Sequence, residues 1–512
     1  MKRNYIKYSA LLFLGATIFS ACSESFLELT PKGESLESNY YSSPDEAYAG
    51  VIAAYSPLSS DGFEWNYSTT LGPLNSASDD CAAGGGSSSD MSTWQAMNDY
   101  SQLTSANMPS IMWNLDFTGV ANSNLILSKL GAVPGLSSAL QTRYTAEAQF
   151  LRAHYYFDLV RLFKNVPLMT TSVTLTEIYQ QTQAKPEDVY AQIEKDLIAA
   201  IPNLPATVTS DENGRATQGA AKALLGKVYL YEQKWALAAA QLQDVNGTPG
   251  GTSQYGYHLL ANFGDIFSPD NKFNAESIFE IQHTQSQNYS WGNWNMCHGN
   301  IYVEMIGPRS YSLTANYPGN TSTNMFYPGW GFNPILPGLV SVMQNDPRYK
   351  YTIINLDSLM AVGQCYYSKS SSYQATGYFI AKYAPLLKYK STTGTPELNF
   401  PNDYIEIRLA DTYLMEAEAL VQAGTNQSRA QALLDAVRAR VGLSSIPATL
   451  TNIYNERRLE LATEGHRWFD LVRTGQAATV LASKNFTKGK NEILPIPLAE
   501  LTNTKLVQNP GY

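Results

Sequence analysis

Charge is scarce in this sequence. Asp, Glu, Lys and Arg together make up only 15% of it, and acids outnumber bases 44 to 35. A net charge of −9 provides no basic face for nucleic acid or for an anionic membrane surface. Histidine is sparse too: five residues, scattered, with no HExxH and no cluster. No CxxC occurs either, so neither a zinc site nor any cofactor is expected. The four cysteines, Cys22, Cys81, Cys297 and Cys365, are too few and too far apart for a disulfide framework. One pair remains open to oxidation in a suitable compartment. Beyond the N-terminus no apolar run approaches the roughly 20 residues of a membrane-spanning helix.

The first 21 residues are an address. Lys2, Arg3 and Lys7 form a basic start, and Tyr8 to Phe19 a short apolar stretch, as in a secretory signal. Small residues then lead directly into Cys22, the pattern of a lipobox, in which the cysteine is acylated and becomes the mature N-terminus. Acyl chains anchor at about 0.8 kcal/mol per buried methylene. Cleavage removes three cations, so the charge falls from −9 to −12. Residues 22–42 read as a tether, and 43–512 as one domain.

Helical signals follow. Ser43-Pro44-Asp45-Glu46 has an N-cap, a proline at the first helical position and a capping-box glutamate. Further helices are expected at 109–131, 136–165 and 185–201. Leu225-Gly226-x-x-Tyr229 with Trp235 and Ala238 follows the tetratricopeptide pattern, with an echo at Leu409-Ala410-x-x-Tyr413. The reading is a mainly α, tetratricopeptide-like repeat scaffold over about 43–245 and 403–480. A loop-rich insertion with a few short strands occupies about 246–402, one strand falling at Ala275–Ile281. Pro495 and Pro497 make the end an extended tail.

The segment Ile453 to Gly475 is the most informative. Glu456, Glu460 and Glu464 fall four apart on one helical face. Arg457, Arg458, Arg467 and Arg473 are the nearby cations, and Leu459, Trp468 and Phe469 make the segment too apolar for a free surface. We read a buried helix pair, broken at Gly465, with ion pairs inside the packing. An acid/base role for Glu456, Glu464 and His466 is the less favoured alternative, because buried ion pairs often serve structure.

The loops carry the candidate site. Tyrosine is abundant, at 34 residues, and aromatic rings stand among Gly, Ser and Asn. Trp65, Trp94 and Asn98 lie in 59–108, and Tyr289, Trp291 and Trp294 in 246–402. Tyr311, Tyr317, Tyr327 and Trp330 extend the aromatic supply. An aromatic ring covers the apolar C–H face of a pyranose at low entropic cost, while amides and charged groups satisfy its hydroxyl rim. Gly84-Gly85-Gly86 is not a phosphate loop and reads as a flexible surface loop.

The string NERRLELATEGHRWFDLVRTG strongly resembles the C-terminal signature of SusD/RagB-type nutrient-binding outer-membrane lipoproteins. AEAQFLRAHYYFDLVRLFKNVPL, NAESIFEIQ, EIRLADTYLMEAEALVQAG and the closing EILPIPLAEL resemble further blocks of that family. The resemblance implies a cell-surface lipoprotein, anchored through Cys22 and facing the exterior, that captures glycan without cutting it. It also implies a partner, a SusC-like TonB-dependent transporter. Peptide capture, as in RagB-like relatives, stays open as an alternative. A glycoside hydrolase or an envelope scaffold is less favoured.

Overall fold

Small residues set how closely the helices approach. A methyl group at Gly226 would lie 2.6 Å from Leu242 Cγ, so the helices Gln218–Tyr231 and Trp235–Asn246 pack at a distance only glycine permits. The computed structural model describes residues 41–63, 66–67, 69–321 and 324–512. Cys22 and Trp65 lie outside the described residues.

Helices pack side by side in a continuous series. Ile111–Lys129 lies against Ser138–Phe163, which lies against Pro186–Ala200, then Gln218–Tyr231 and Trp235–Asn246. The chain leaves this stack after Asn246 and rejoins it at Leu409–Ala423, which packs on Trp235–Asn246, Gln427–Arg440 and Leu450–Glu460. The mainly helical repeat scaffold expected from the sequence is therefore borne out. One large apolar core, including Phe150, Leu225, Leu414 and Trp468, lies between these helices. The tail lies on them through Leu494 N–H to Leu162 O (2.7 Å) and Asn509 Nδ2 to Phe163 O (2.9 Å).

The excursion between Asn246 and Leu409 contains short helices and two-stranded pairs. Ser277–Ile281 pairs antiparallel with Tyr404–Arg408, the strand that leads back into the stack. Tyr311–Leu313 pairs with Cys365–Tyr367, and Ile353–Asn355 with Tyr378–Ile380. A second core, with Trp94, Cys297, Tyr302, Phe332 and Ile335, lies beneath this half. Cys81, Cys297 and Cys365 are buried free thiols.

Gly465, with φ +80°, separates the helices Leu450–Glu460 and His466–Arg473. The glutamates are buried and ion-paired, but not with the cations beside them in sequence. Glu460 takes Arg348 (2.8 Å), Arg408 (2.6 Å) and Arg440. Glu456 takes Arg348 (2.7 Å) and Arg438 (2.6 Å), and Glu464 takes Arg408 (2.8 Å) and Lys382 (2.5 Å). Arg457 turns instead to Asp411 (2.7 Å), Arg458 and Arg467 to Asp79, and Arg473 to Glu418 (2.5 Å). The reason is steric: residues adjacent on a helix point to different faces, so each glutamate meets the element packed opposite. Burial opposes ionisation of Glu460, yet the three guanidinium groups outweigh it and hold its carboxyl well below the ordinary range.

Gly84 and Gly85 correct another expectation. Gly84 and Gly85 are buried, with φ +74° and +89°, and Gly85 N–H donates to Gly331 O at 3.0 Å. These two are packed because they pass close to Gly331–Phe332, where a Cβ would clash, whereas Gly86 and the three serines after it are exposed, as expected of a surface loop.

Candidate functional site

Three indoles meet where the loop-rich half faces solvent. The turn Ser290–Asn293 is closed by its own polar groups: Asn293 Oδ1 accepts from Ser290 N–H (2.7 Å) and Oγ (2.9 Å), and Asn293 N–H donates back to Ser290 O (2.8 Å). An Asn side chain that bonds nearby backbone in this way closes a turn locally. Asn399 pins the turn from below, its Oδ1 accepting from Tyr289 N–H and its Nδ2 donating to Tyr289 O, both at 2.9 Å. The turn therefore presents Trp291, which is 42% exposed, from a fixed backbone.

Trp330 arrives from a separate segment. Its N–H donates to Glu304 O at 3.0 Å, at the end of the helix Ile301–Ile306. Gly329 and Gly307 allow this approach, since a Cβ on Gly329 would lie 2.2 Å from Glu304 O. The Trp330 ring stacks beside Trp291, with centroids 6.2 Å apart and planes 21° from parallel. Trp294 meets Trp291 edge-on at 5.6 Å and 75°. It is only 7% exposed and backs on Gly62, where a Cβ would touch its ring. The second core includes Trp294, and Trp330 and the half-buried Tyr289 pack against it.

Charge at the rim is limited. Arg309 is partly exposed, donates to Trp330 O at 3.3 Å and stands 4.0 Å from Asp90. Glu304 is buried. Desolvation, with Glu397 nearby, pushes its carboxyl up to about 9, so it is neutral at physiological pH. The result is a rigid, mostly uncharged aromatic ledge. It can stack the flat apolar face of a ring and offer amide, hydroxyl and guanidinium donors beside it.

The residues expected from the sequence divide. Tyr289, Trp291 and Trp294 come together here. Trp94 does not: it is 0% exposed, enclosed by Tyr302 and edge-on to Phe332 at 5.1 Å, and a Cβ on Gly72 would overlap its ring. It is a core residue, because the Gly and Ser beside it in sequence are not its neighbours in space. Asn98 is likewise a clamp: its Oδ1 accepts from Lys484 Nζ at 3.0 Å, and that ammonium also holds Ser76 O and Cys81 O. Trp330 was part of the aromatic supply but not of the expected site. Its signal is the Pro-Gly-Trp-Gly setting, a ring held between two backbone-approach glycines. Arg309 carries no such signal.

Residues 275–512 match the model of the SusD family, and residues 63–230 match a model described as starch-binding, associating with outer membrane. A solved laminarin-binding SusD-like protein is 49% identical, with a TM-score of 0.87; the match covers 92% of this chain and all of that one. The chain belongs to the SusD family. Among its SusD-family relatives, surface glycan-binding protein A from Bacteroides thetaiotaomicron, solved in complex with laminarihexaose, is 27% identical. Its TM-score is 0.79, over 91% of this chain and 99% of that one. A SusD-like protein of Bacteroides ovatus is 28% identical over 497 residues, 91% of this chain and 82% of its own.

Proposed function

We propose that this protein is a glycan receptor of the outer-membrane surface that captures laminarin-type β-glucan without cleaving it. The observation that carries the proposal is the Trp291–Trp330 ledge, held on a stiff turn and backed by Trp294. The 49% identity to a laminarin-binding protein supports the choice of sugar. Each ring contact is weak, so a long chain that reaches further aromatic groups gains by effective concentration. Attachment through an acylated Cys22 and delivery to a SusC-like TonB-dependent transporter complete the reading.

Affinity electrophoresis tests it. Laminarin in the gel should retard the wild-type protein, while starch and a peptide digest retard it less. Reducing ends should stay constant during incubation. Retardation by peptides alone, or sustained release of reducing ends, would sink the reading. Cys22→Ala should move the protein from the membrane to the soluble fraction; continued membrane attachment would remove the lipid anchor.

A further inference from the structure

A second group of polar side chains lies far inside the molecule, between the helical stack and the loop-rich half. A cavity of about 110 Å³ is lined there by His154, Asp158, Asp116 and Glu406, among others. His154 and Asp158 stand out in the sequence as titratable groups in an apolar helix and read first as packed polar contacts; the strand Tyr404–Arg408 brings Glu406 to them from 252 residues away.

The histidine is set up as a ligand. His154 is buried, 3% exposed, and its Nε2 lies 2.7 and 2.6 Å from the two Glu406 carboxylate oxygens. That contact occupies Nε2 and leaves Nδ1 facing the gap. Nδ1 has no hydrogen-bond partner. It faces Asp158 Oδ2 at 4.0 Å, too far for a direct bond. Asp158 is oriented in the same way, since its Oδ1 is taken by Arg161. One carboxylate oxygen and one imidazole nitrogen therefore point at the same gap, each steered by a partner on its other atom. This is the carboxylate–histidine arrangement that orients metal ligands.

We propose that this cavity is a binding site for one first-row divalent transition-metal ion, held by His154 Nδ1 and Asp158 Oδ2 with water completing its shell. Glu406 serves as the positioning residue behind the histidine. Size agrees: adjacent ligands about 2.1 Å from such an ion stand roughly 3.0–3.4 Å apart, a closure of about 0.6–1 Å from the present gap of 4.0 Å. The cavity is too small for a sugar but holds an ion with several waters. Charge agrees as well. Asp116, Asp158 and Glu406 are three carboxylates, whereas Arg161 is the cation bonded among them. Lys227 also lines the cavity, but it stands 3.8 Å from Asp411. One imidazole with carboxylates suits Zn²⁺, Mn²⁺ or Co²⁺ better than Cu(I). Thr70, one of the residues lining the cavity, is exposed. A bound ion would tie the helical stack to the strand that re-enters it.

Co²⁺ titration of the chelator-treated full-length protein tests this. One equivalent should bind with visible ligand-field absorption and be displaced by Zn²⁺. Asp158→Asn and Glu406→Gln, which keep shape and hydrogen bonds, should each weaken binding at least tenfold. Wild-type crystals soaked in Co²⁺ decide the matter without any variant. Anomalous density between His154 Nδ1 and Asp158 Oδ2 supports the site. Density only elsewhere, no density, or unchanged affinity in both folded variants overturns it.

Discussion

Replacing Arg408 by methionine should cost this protein about 3–5 kcal/mol of stability, the usual result of removing one partner from a buried ion pair. The magnitude follows from a charge count. Glu276, Glu456, Glu460, Glu464 and Asp346 form one connected group with Arg348, Arg408, Arg440, Arg438 and Lys382. Five acids balance five bases. Arg408 is 1% exposed and bonds three of the carboxylates: Glu276 (2.9 Å), Glu460 (2.6 Å) and Glu464 (2.8 Å). Methionine fills similar volume but leaves one negative charge uncompensated. Glu460→Gln leaves one positive charge and should destabilise comparably. The double variant is neutral again, so its loss should be smaller than the sum of the two by at least 1 kcal/mol. Urea unfolding, followed by far-UV circular dichroism, reads all three. An unfolding free energy for Arg408→Met within about 1 kcal/mol of wild type would refute the reasoning. So would strict additivity, because the penalty would then not come from unbalanced charge.

Three further outcomes are expected. Burial raises the Glu460 and Glu464 carboxyls, but Arg440, Arg408 and Arg348 in one case, and Arg408 and Lys382 in the other, hold both below the ordinary value of 4.5. Their stabilisation is thus complete above that value and is lost as pH falls beneath it. Urea midpoints should drop as the pH is lowered from about 5 towards 3; a midpoint no lower at pH 3 than at pH 5 contradicts this. Gly72→Ala puts a methyl group 1.9 Å from Trp94 Cη2 and should cost roughly 1–3 kcal/mol by overpacking, measured by the same unfolding curves; an unchanged midpoint would show that Trp94 has room to move. Trp291→Ala should weaken laminarin binding about tenfold with the melting temperature nearly unchanged. The exposed 42% of the side chain is ~100 Å², and covering about half of it is worth ~1.3 kcal/mol. Calorimetric titration showing equal affinity would remove Trp291 from the site.

How much of this was legible depends on the range of the interaction that decides each residue. Gly226 and Tyr229 sit in one helix and meet a helix a few residues on, so the repeat could be read directly. Glu460 announced an ion pair, since a carboxylate in so apolar a segment must be compensated. Its partners could not be named, because Arg348 and Arg408 arrive from 112 and 52 residues away. Trp94 and Trp291 look alike in sequence, both set among small polar residues. What separates them is Gly72 and Phe332 closing over the first, against a self-closed turn that lifts the second into solvent. His154 and Glu406 repeat the case inside the scaffold. Each alone reads as a buried polar contact, and only the pairing of Ser277–Ile281 with Tyr404–Arg408 shows where the re-entering strand runs. Helices that bury a continuous apolar face need only neighbours in the chain, whereas a site needs two or three groups converging from distant segments. Sequence periodicity therefore reports the frame well, while the chemistry depends on crossings that periodicity does not encode.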